Sequence, residues 1–347
     1  MGTRMAGARS AVELRREASR YVDEPLREAV AELDEPLRQV AEYHLGWAEA
    51  DGGPVAGPDA ALEQRRRGAA VVLAAAGPAA RAEARNVAVA ATLLCAGLFV
   101  QDDLVDGDRV RYGRPTVWTA YGMPAAVQAG NVLSALGLAR LGREPSSRSR
   151  ELVDRLAHWL KVCGSGQAVE VLHRRRGRAS PAEVVSVTDA KSGAAGGFLL
   201  TAAALVTGAD RERLRACTAL GVVAARAWQL RNDYEALWTD AADGTKDPLS
   251  DLRQRRRTAV AVHALGTGGA AAAELERFYR DTRTPEPAEL ARALELLEEC
   301  GAKEWLVGRI GRTLGEAGRL LPKAVPDPDG AQESAALLAS FCGHAEL

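Results

Sequence analysis

Asp102, Asp103 and Asp106 stand at i, i+1 and i+4 in the segment GLFVQDDLVDGDRVRYGRPTVW. On a helix, residues four apart lie one above the other, roughly 6 Å between Cβ atoms, so Asp102 and Asp106 present two carboxylates to one point. Bare carboxylates stacked this way repel. A hard divalent cation removes the repulsion, and Mg²⁺ characteristically takes one or two carboxylates, keeps waters and accepts phosphate oxygens for the rest of its shell. The apolar stretch 87–100 just ahead makes the cluster the inner end of a buried helix rather than an exposed acidic turn. Arg109, Arg111 and Arg114 follow at once and can hold an anion beside the metal.

A second oxygen-bearing face lies in WQLRNDYEALWTD, where Asn232 and Asp240 stand eight residues apart with Ala236 between them. Ala236 cannot ligate, which leaves Asp233 or water to complete a metal shell. Of the 45 basic residues only Lys161, Lys191, Lys246, Lys303 and Lys323 are lysine, an arginine bias under which a surviving lysine has some claim to chemical necessity.

The elements that must position these residues read as helices. Aromatics make up 5% of the 347 residues and alternating strand patterns are hard to find, while Ala, Leu, Glu and Arg recur at helical spacing through 81–101, 183–207, 211–239 and 284–321. This predicts an all-α fold, a single large helical bundle of ten or more helices spanning 1–347. Gly-, Pro-, Ser- or charge-rich breaks fall at 51–59, 107–116, 143–148, 173–181, 240–250, 265–269 and 322–331, the last read as a loop before a C-terminal helix. Residues 1–20 are expected to be mobile. The run Arg65, Arg66, Arg67 reads as a solvated face.

With 47% hydrophobic residues the chain can bury a large core, and 45 basic against 46 acidic residues give no surplus charge for nucleic acid or an anionic membrane surface. Five scattered cysteines suit no complete disulfide framework and point to reduced thiols and a cytoplasmic location. The N-terminus lacks the apolar core of a signal peptide. No run of about 18 apolar residues is free of charge, so no integral membrane segment is expected.

DDLVDGDRVRYGRPT resembles the first aspartate-rich motif of the trans-isoprenyl diphosphate synthase (polyprenyl synthetase) superfamily, DDxxD followed by Arg-Arg-Gly and Pro-Thr. YHLGW at 43–47, SGQAVE at 165–170, DAKSGAAGG at 189–197, WQLRNDYEALW at 228–238 and GTKDPLSDLRQRRRTA at 244–259 are similar, in order, to further family segments. The resemblance implies the isoprenoid synthase fold, an allylic isoprenyl diphosphate substrate, two or three Mg²⁺ ions and, commonly, a homodimer. It implies that Asp102 and Asp106 bind metal with support from Asp103, and that Asn232, Asp233 and Asp240 form the second metal face. Arg111, Lys191 and Lys246 would hold the allylic diphosphate, with Arg256 and Arg67 as further diphosphate ligands. Gln229 and Ser192 would lie near the departing oxygen, and Gln167, Tyr112, Trp228 and Leu98 would line the pocket. Trp118 and Trp238 are further aromatic candidates for stabilising a carbocation. In the family a bulky residue four or five places before the first aspartate shortens the product; here those positions are Leu98 and Gly97, which suggests a chain of C20 or longer.

The decisive departures concern the second substrate. Family members that elongate a chain hold isopentenyl diphosphate with a Gly-Lys-x-x-Arg-Pro segment and with the second arginine of Arg-Arg-Gly. Here Glu63, Gln64, Arg67 and Gly68 stand for that segment, and Tyr112 follows Arg111. Two of three acceptor cations are thus expected to be absent, and Asn232 replaces a family aspartate. These changes favour a class I terpene cyclase that ionises one allylic diphosphate and quenches the cation within the same molecule. The alternatives are a prenyltransferase that condenses an allylic diphosphate with isopentenyl diphosphate, and an inactive subunit that modifies a partner.

Overall fold

Capping residues set where many of the helices begin. Ser10 accepts an N–H bond from Glu13 while Glu13 reaches back to Ser10, Ser180 and Glu183 form the same box, and Asp210 accepts from Arg213. Each satisfies donors that the first helical turn leaves open. The structure is a computed structural model, which describes residues 9–55, 62–143, 146–239 and 249–342.

In chain order come α1 (Ala11–Val30), α2 (Leu37–Leu45), the short α3 (Leu62–Arg65) and α4 (Arg67–Ala76). The long α5 (Arg81–Asp106) leads into a hairpin of two two-residue strands, β1 (Val110–Arg111) and β2 (Arg114–Pro115). Next are α6 (Val117–Tyr121), α7 (Met123–Gly142), α8 (Ser147–Arg176), α9 (Pro181–Thr188), α10 (Ala194–Val206) and α11 (Arg211–Trp238). The last third holds α12 (Ser250–Arg253), α13 (Ala259–Gly266), α14 (Gly269–Arg280), α15 (Pro287–Glu299), α16 (Ala302–Ala324) and α17 (Pro328–Cys342). The all-α reading holds.

One core runs beneath α1, α4, α5 and α10, with Val22, Leu26, Val72, Leu93, Leu94 and Ala202 among its buried members. A second joins α11 to α12–α16 through Leu230, Leu252, Leu275, Leu296 and Ile310. α5 and the turn before it, Pro78–Asp106, are long and apolar enough by composition to cross a membrane, but 67% of the apolar window is buried inside the bundle. A helix covered on most sides by other helices is apolar for the same reason a membrane helix is.

Three local readings change. Ala11–Val30 is helical, so residues 11–20 are ordered by the Ser10 cap and by burial of Leu14 and Ala18; residues 1–8 lie outside the described part. The segment 322–331 is mostly helix, because Pro322 sits inside the last turn of α16 and α17 starts at Pro328. Only the short stretch between them is loop.

The third concerns the arginine run. Arg66 is fully buried and donates to Asp23 at 2.9 Å, and Arg65 is 8% exposed. Arg66 is the break between α3 and α4, with φ −108° and ψ 17°, and this break turns it inward while Arg65 and Arg67 face a common cavity. A periodicity argument that assumes one unbroken helix cannot see this.

Candidate active site

A cavity of about 1220 Å³ opens between α4, α5, α8, α10 and α11. Roughly 300–1,000 Å³ is usual for a small-molecule site, so this one has room for more than a single compact ligand. Leu98, Leu138, Trp159, Leu199 and Leu220 line its apolar body, and Trp159 stacks on Phe198 at 5.3 Å. Polar groups gather elsewhere on its wall.

Asp102 and Asp106, at the end of α5, both line the cavity, whereas Asp103 does not. Asp102 Oδ1 is 3.2 Å from Lys191 Nζ, and Lys191 also donates to Glu170. Asp106 lies between two guanidiniums, Arg174 at 3.2 Å and Arg256 at 3.3 Å. Burial, with Asp102 alongside, pushes the Asp106 carboxyl well above the ordinary range despite Arg256 and Lys191. That penalty is the one a divalent cation removes. Among the described residues no three or more acidic, His or Cys side chains form a ready-made metal shell. Two facing carboxylates with the rest left to water and phosphate oxygen is nonetheless a donor set that suits Mg²⁺.

Asp103 points away, at 1% exposure, and accepts from Arg111 Nε at 2.6 Å. Burial raises the Asp103 carboxyl to about 6 even against that arginine. Its role is to fix Arg111, which lines the cavity; it is not placed to ligate a metal there. Arg111 belongs to the β hairpin, whose two-residue tip needs positive φ at both Tyr112 (53°) and Gly113 (72°). Tyrosine rarely adopts that conformation. Tyr112 is kept there by Arg67, which donates to its hydroxyl at 2.8 Å, and by Arg65, whose guanidinium lies 4.9 Å from the ring centroid.

Lys191 and Ser192 occupy a π turn, Asp189–Gly193, between α9 and α10. Such turns are single insertions often found at functional sites. Arg226 grips Asp189 through two bonds of 2.9 and 2.7 Å and so anchors the turn to α11. Gly196 and Gly221 bring α10 against α11 closely enough that a Cβ at Gly196 would sit 2.2 Å from the Gly221 carbonyl oxygen. This contact permits the relay in which Ser192 donates to Gln229 at 3.3 Å and Gln229 donates to Asp233 at 2.9 Å. Asn232 and Asp233 both line the cavity; Asp240 and Lys246 lie outside the described residues.

Arg256 reaches the cavity but is already committed, to Asp251 at 2.9 Å, Asp108 at 3.2 Å and the Asp106 carbonyl at 2.9 Å. It braces the aspartate end of α5 more than it offers a free fork. Gln167, Trp228 and Leu98 line the cavity, but Tyr112 stands behind the wall. Trp118 donates to the Asp108 carbonyl and Trp238 to Glu298, and neither lines the cavity. Both rings are structural because their N–H partners lie on other surfaces.

The wall that the resemblance assigns to a second substrate also differs from expectation. Gln64 is exposed and its backbone carbonyl accepts from Arg67, while Arg65 and Arg67 both line the cavity with Cys95 and Arg111. Two cations are therefore present where one was expected. Sequence reasoning also missed Glu170 and Arg174. Glu170 is one helical turn beyond Gln167 and was legible; Arg174 meets Asp106 only through the tertiary fold.

The polyprenyl synthetase family model matches residues 63–297. The chain is 29% identical over 294 residues to geranylgeranyl diphosphate synthase of Mycobacterium tuberculosis, covering 84% of this chain and 83% of the relative. It is 28% identical over 300 residues to (2E,6E)-farnesyl diphosphate synthase of Mycobacterium bovis, at 84% and 82% coverage. The crystal structure of polyprenyl synthetase from Streptomyces coelicolor A3(2) superposes with a TM-score of 0.84 at 29% identity, covering 95% of this chain and 99% of that one. With its paired carboxylates, its lysine-bearing π turn and a family match over most of its length, the chain belongs to the polyprenyl synthetase family of isoprenoid synthases.

Proposed function

We propose that the chain is a trans-prenyltransferase, which ionises an allylic isoprenyl diphosphate and joins the allyl group to isopentenyl diphosphate. The carrying observation is that one cavity has two cationic regions, Lys191 with Asp102 and Asp106 in one, and Arg65 with Arg67 in the other. The names of the two relatives agree with this reading better than with a cyclase.

Asp102 and Asp106 would hold Mg²⁺, with Asn232 and Asp233 on the opposing helix. Bound Mg²⁺ supplies Lewis-acid stabilisation of the negative charge that develops on the leaving diphosphate. Lys191 and Arg111 are fixed cations toward the same charge, and their preorganisation lowers the barrier to C–O cleavage. As that bond breaks, diphosphate leaves with the electron pair. The allylic C1 then bonds to the terminal alkene carbon of isopentenyl diphosphate, and a proton is lost to regenerate a double bond. Apolar walls exclude water from the cation. Arg65 and Arg67 would hold the acceptor's diphosphate, and the cavity volume suits a product of C20 or longer.

A cyclase remains the second reading, favoured by the amide of Asn232 on the cavity wall. Incubation with geranyl, farnesyl, geranylgeranyl and geranylfarnesyl diphosphates, each with and without isopentenyl diphosphate, separates the two by mass analysis. Longer diphosphates formed only from both substrates are expected. A hydrocarbon or alcohol from the allylic substrate alone would replace this reading with the cyclase.

Within α11 the two faces make separate predictions. Asn232→Ala lowers turnover about tenfold or more by disturbing a metal shell. Glu235→Ala leaves it within about twofold, because Glu235 pairs with Arg231 at 2.6 Å away from the cavity. Steady-state rates of the two variants check the assignment, and equal losses would contradict it.

A further inference from the structure

The two guanidiniums on Asp106 are not equivalent. Arg256 has a side chain 7% exposed and is held by Asp251, Asp108 and the Asp106 carbonyl as well as by the Asp106 carboxylate. Arg174 is 23% exposed, lines the cavity from the last turn of α8, and among the described residues its side chain is hydrogen-bonded to Asp106 alone. A divalent cation at Asp106 must take an oxygen that one of them contacts. The oxygen facing Arg256 belongs to a buried network, whereas the one facing Arg174 is released by a single rotation of a flexible side chain.

We propose that Arg174 is an exchangeable counter-ion that passes from Asp106 to the diphosphate as metal and substrate enter together. Its planar fork matches two phosphate oxygens, which a point charge does not. A metal ligated by Asp106 brings those oxygens to the place where Arg174 already stands. The exchange leaves no charge unpaired: the carboxylate trades a guanidinium for a divalent metal, the guanidinium trades a carboxylate for diphosphate, and the extra positive charge of the metal meets the extra negative charge of the diphosphate. The inference rests on the reading of Asp102 and Asp106 as metal ligands for a diphosphate.

The test compares wild type, Arg174→Ala and Arg174→Lys in two binding measurements: Mn²⁺ alone by electron paramagnetic resonance, and inorganic pyrophosphate in saturating Mg²⁺ by calorimetry. Removing a competing ion pair lets Arg174→Ala bind Mn²⁺ about two- to fivefold more tightly. Losing a charge-assisted contact weakens pyrophosphate about ten- to hundredfold. Arg174→Lys falls between wild type and alanine for pyrophosphate. Opposite signs for the two ligands distinguish exchange from a structural role. Pyrophosphate affinity within about threefold of wild type, or both affinities falling together, overturns the proposal. Wild type that binds no pyrophosphate with Mg²⁺ overturns the reading of the site itself, and is recognised before any variant is measured.

Discussion

Asp102→Ala and Asp106→Ala each lower turnover of the allylic diphosphate by about a thousandfold, the scale seen when a group that stabilises transition-state charge is removed. Both variants stay folded. Without Asp102, Lys191 keeps Glu170; without the Asp106 carboxylate, Arg256 keeps Asp251 and Asp108. Asp103→Ala behaves differently, because it strips the buried Arg111 of the carboxylate at 2.6 Å and leaves Asp102, at 3.8 Å, as its carboxylate neighbour among the described residues. Breaking a buried pair by removing one partner costs about 3–5 kcal/mol. Activity and thermal unfolding measured together therefore sort the three aspartates: two variants dead but stable, one clearly destabilised. Activity within tenfold of wild type in Asp102→Ala or Asp106→Ala would remove these carboxylates from the chemistry.

That sorting was only partly legible in the sequence. The i, i+4 spacing of Asp102 and Asp106 is a local property of one helix, and helix geometry alone places both on the cavity face. The same geometry turns Asp103 away, since a neighbour on a helix is rotated by about 100°; only the motif suggests it as a supporting ligand. Lys191 was found from the resemblance, but its orientation comes from a π turn, which no 3.6-residue periodicity announces. The arginine run was misread for a related reason. A single non-helical residue at Arg66 turns it into the core while Arg65 and Arg67 face the cavity, and backbone angles at one residue are not written in composition. Arg174 could not be paired with Asp106 from sequence, because the contact joins residues 68 apart on α8 and α5, two walls of one cavity. Overall helicity, by contrast, depends on patterning repeated over many turns, and repetition is what a sequence records well.

Arg67→Ala raises the KM for isopentenyl diphosphate by about ten- to hundredfold, and the double change Arg65→Ala with Arg67→Ala raises it by roughly two to four powers of ten. Each charge-assisted hydrogen bond contributes about 1.5–3 kcal/mol, and each 1.4 kcal/mol is tenfold in affinity. The single variant is the cleaner probe, since Arg67 is only partly buried and donates to a hydroxyl and a carbonyl, whereas Arg65 also donates to the His44 carbonyl at 2.7 Å and supports the fold. Tyr112→Phe, which removes the hydroxyl that orients Arg67 but leaves the ring under Arg65, gives a smaller rise. Affinity for the allylic diphosphate changes little in all three, because its cations, Lys191 and Arg111, are untouched. A cyclase predicts another pattern: isopentenyl diphosphate is never consumed, and Arg67→Ala alters product distribution through the wall beside Trp228 without any acceptor KM to move. Steady-state kinetics with each substrate varied in turn decides between them, and an acceptor KM unchanged in Arg67→Ala would remove this wall as the acceptor's cradle.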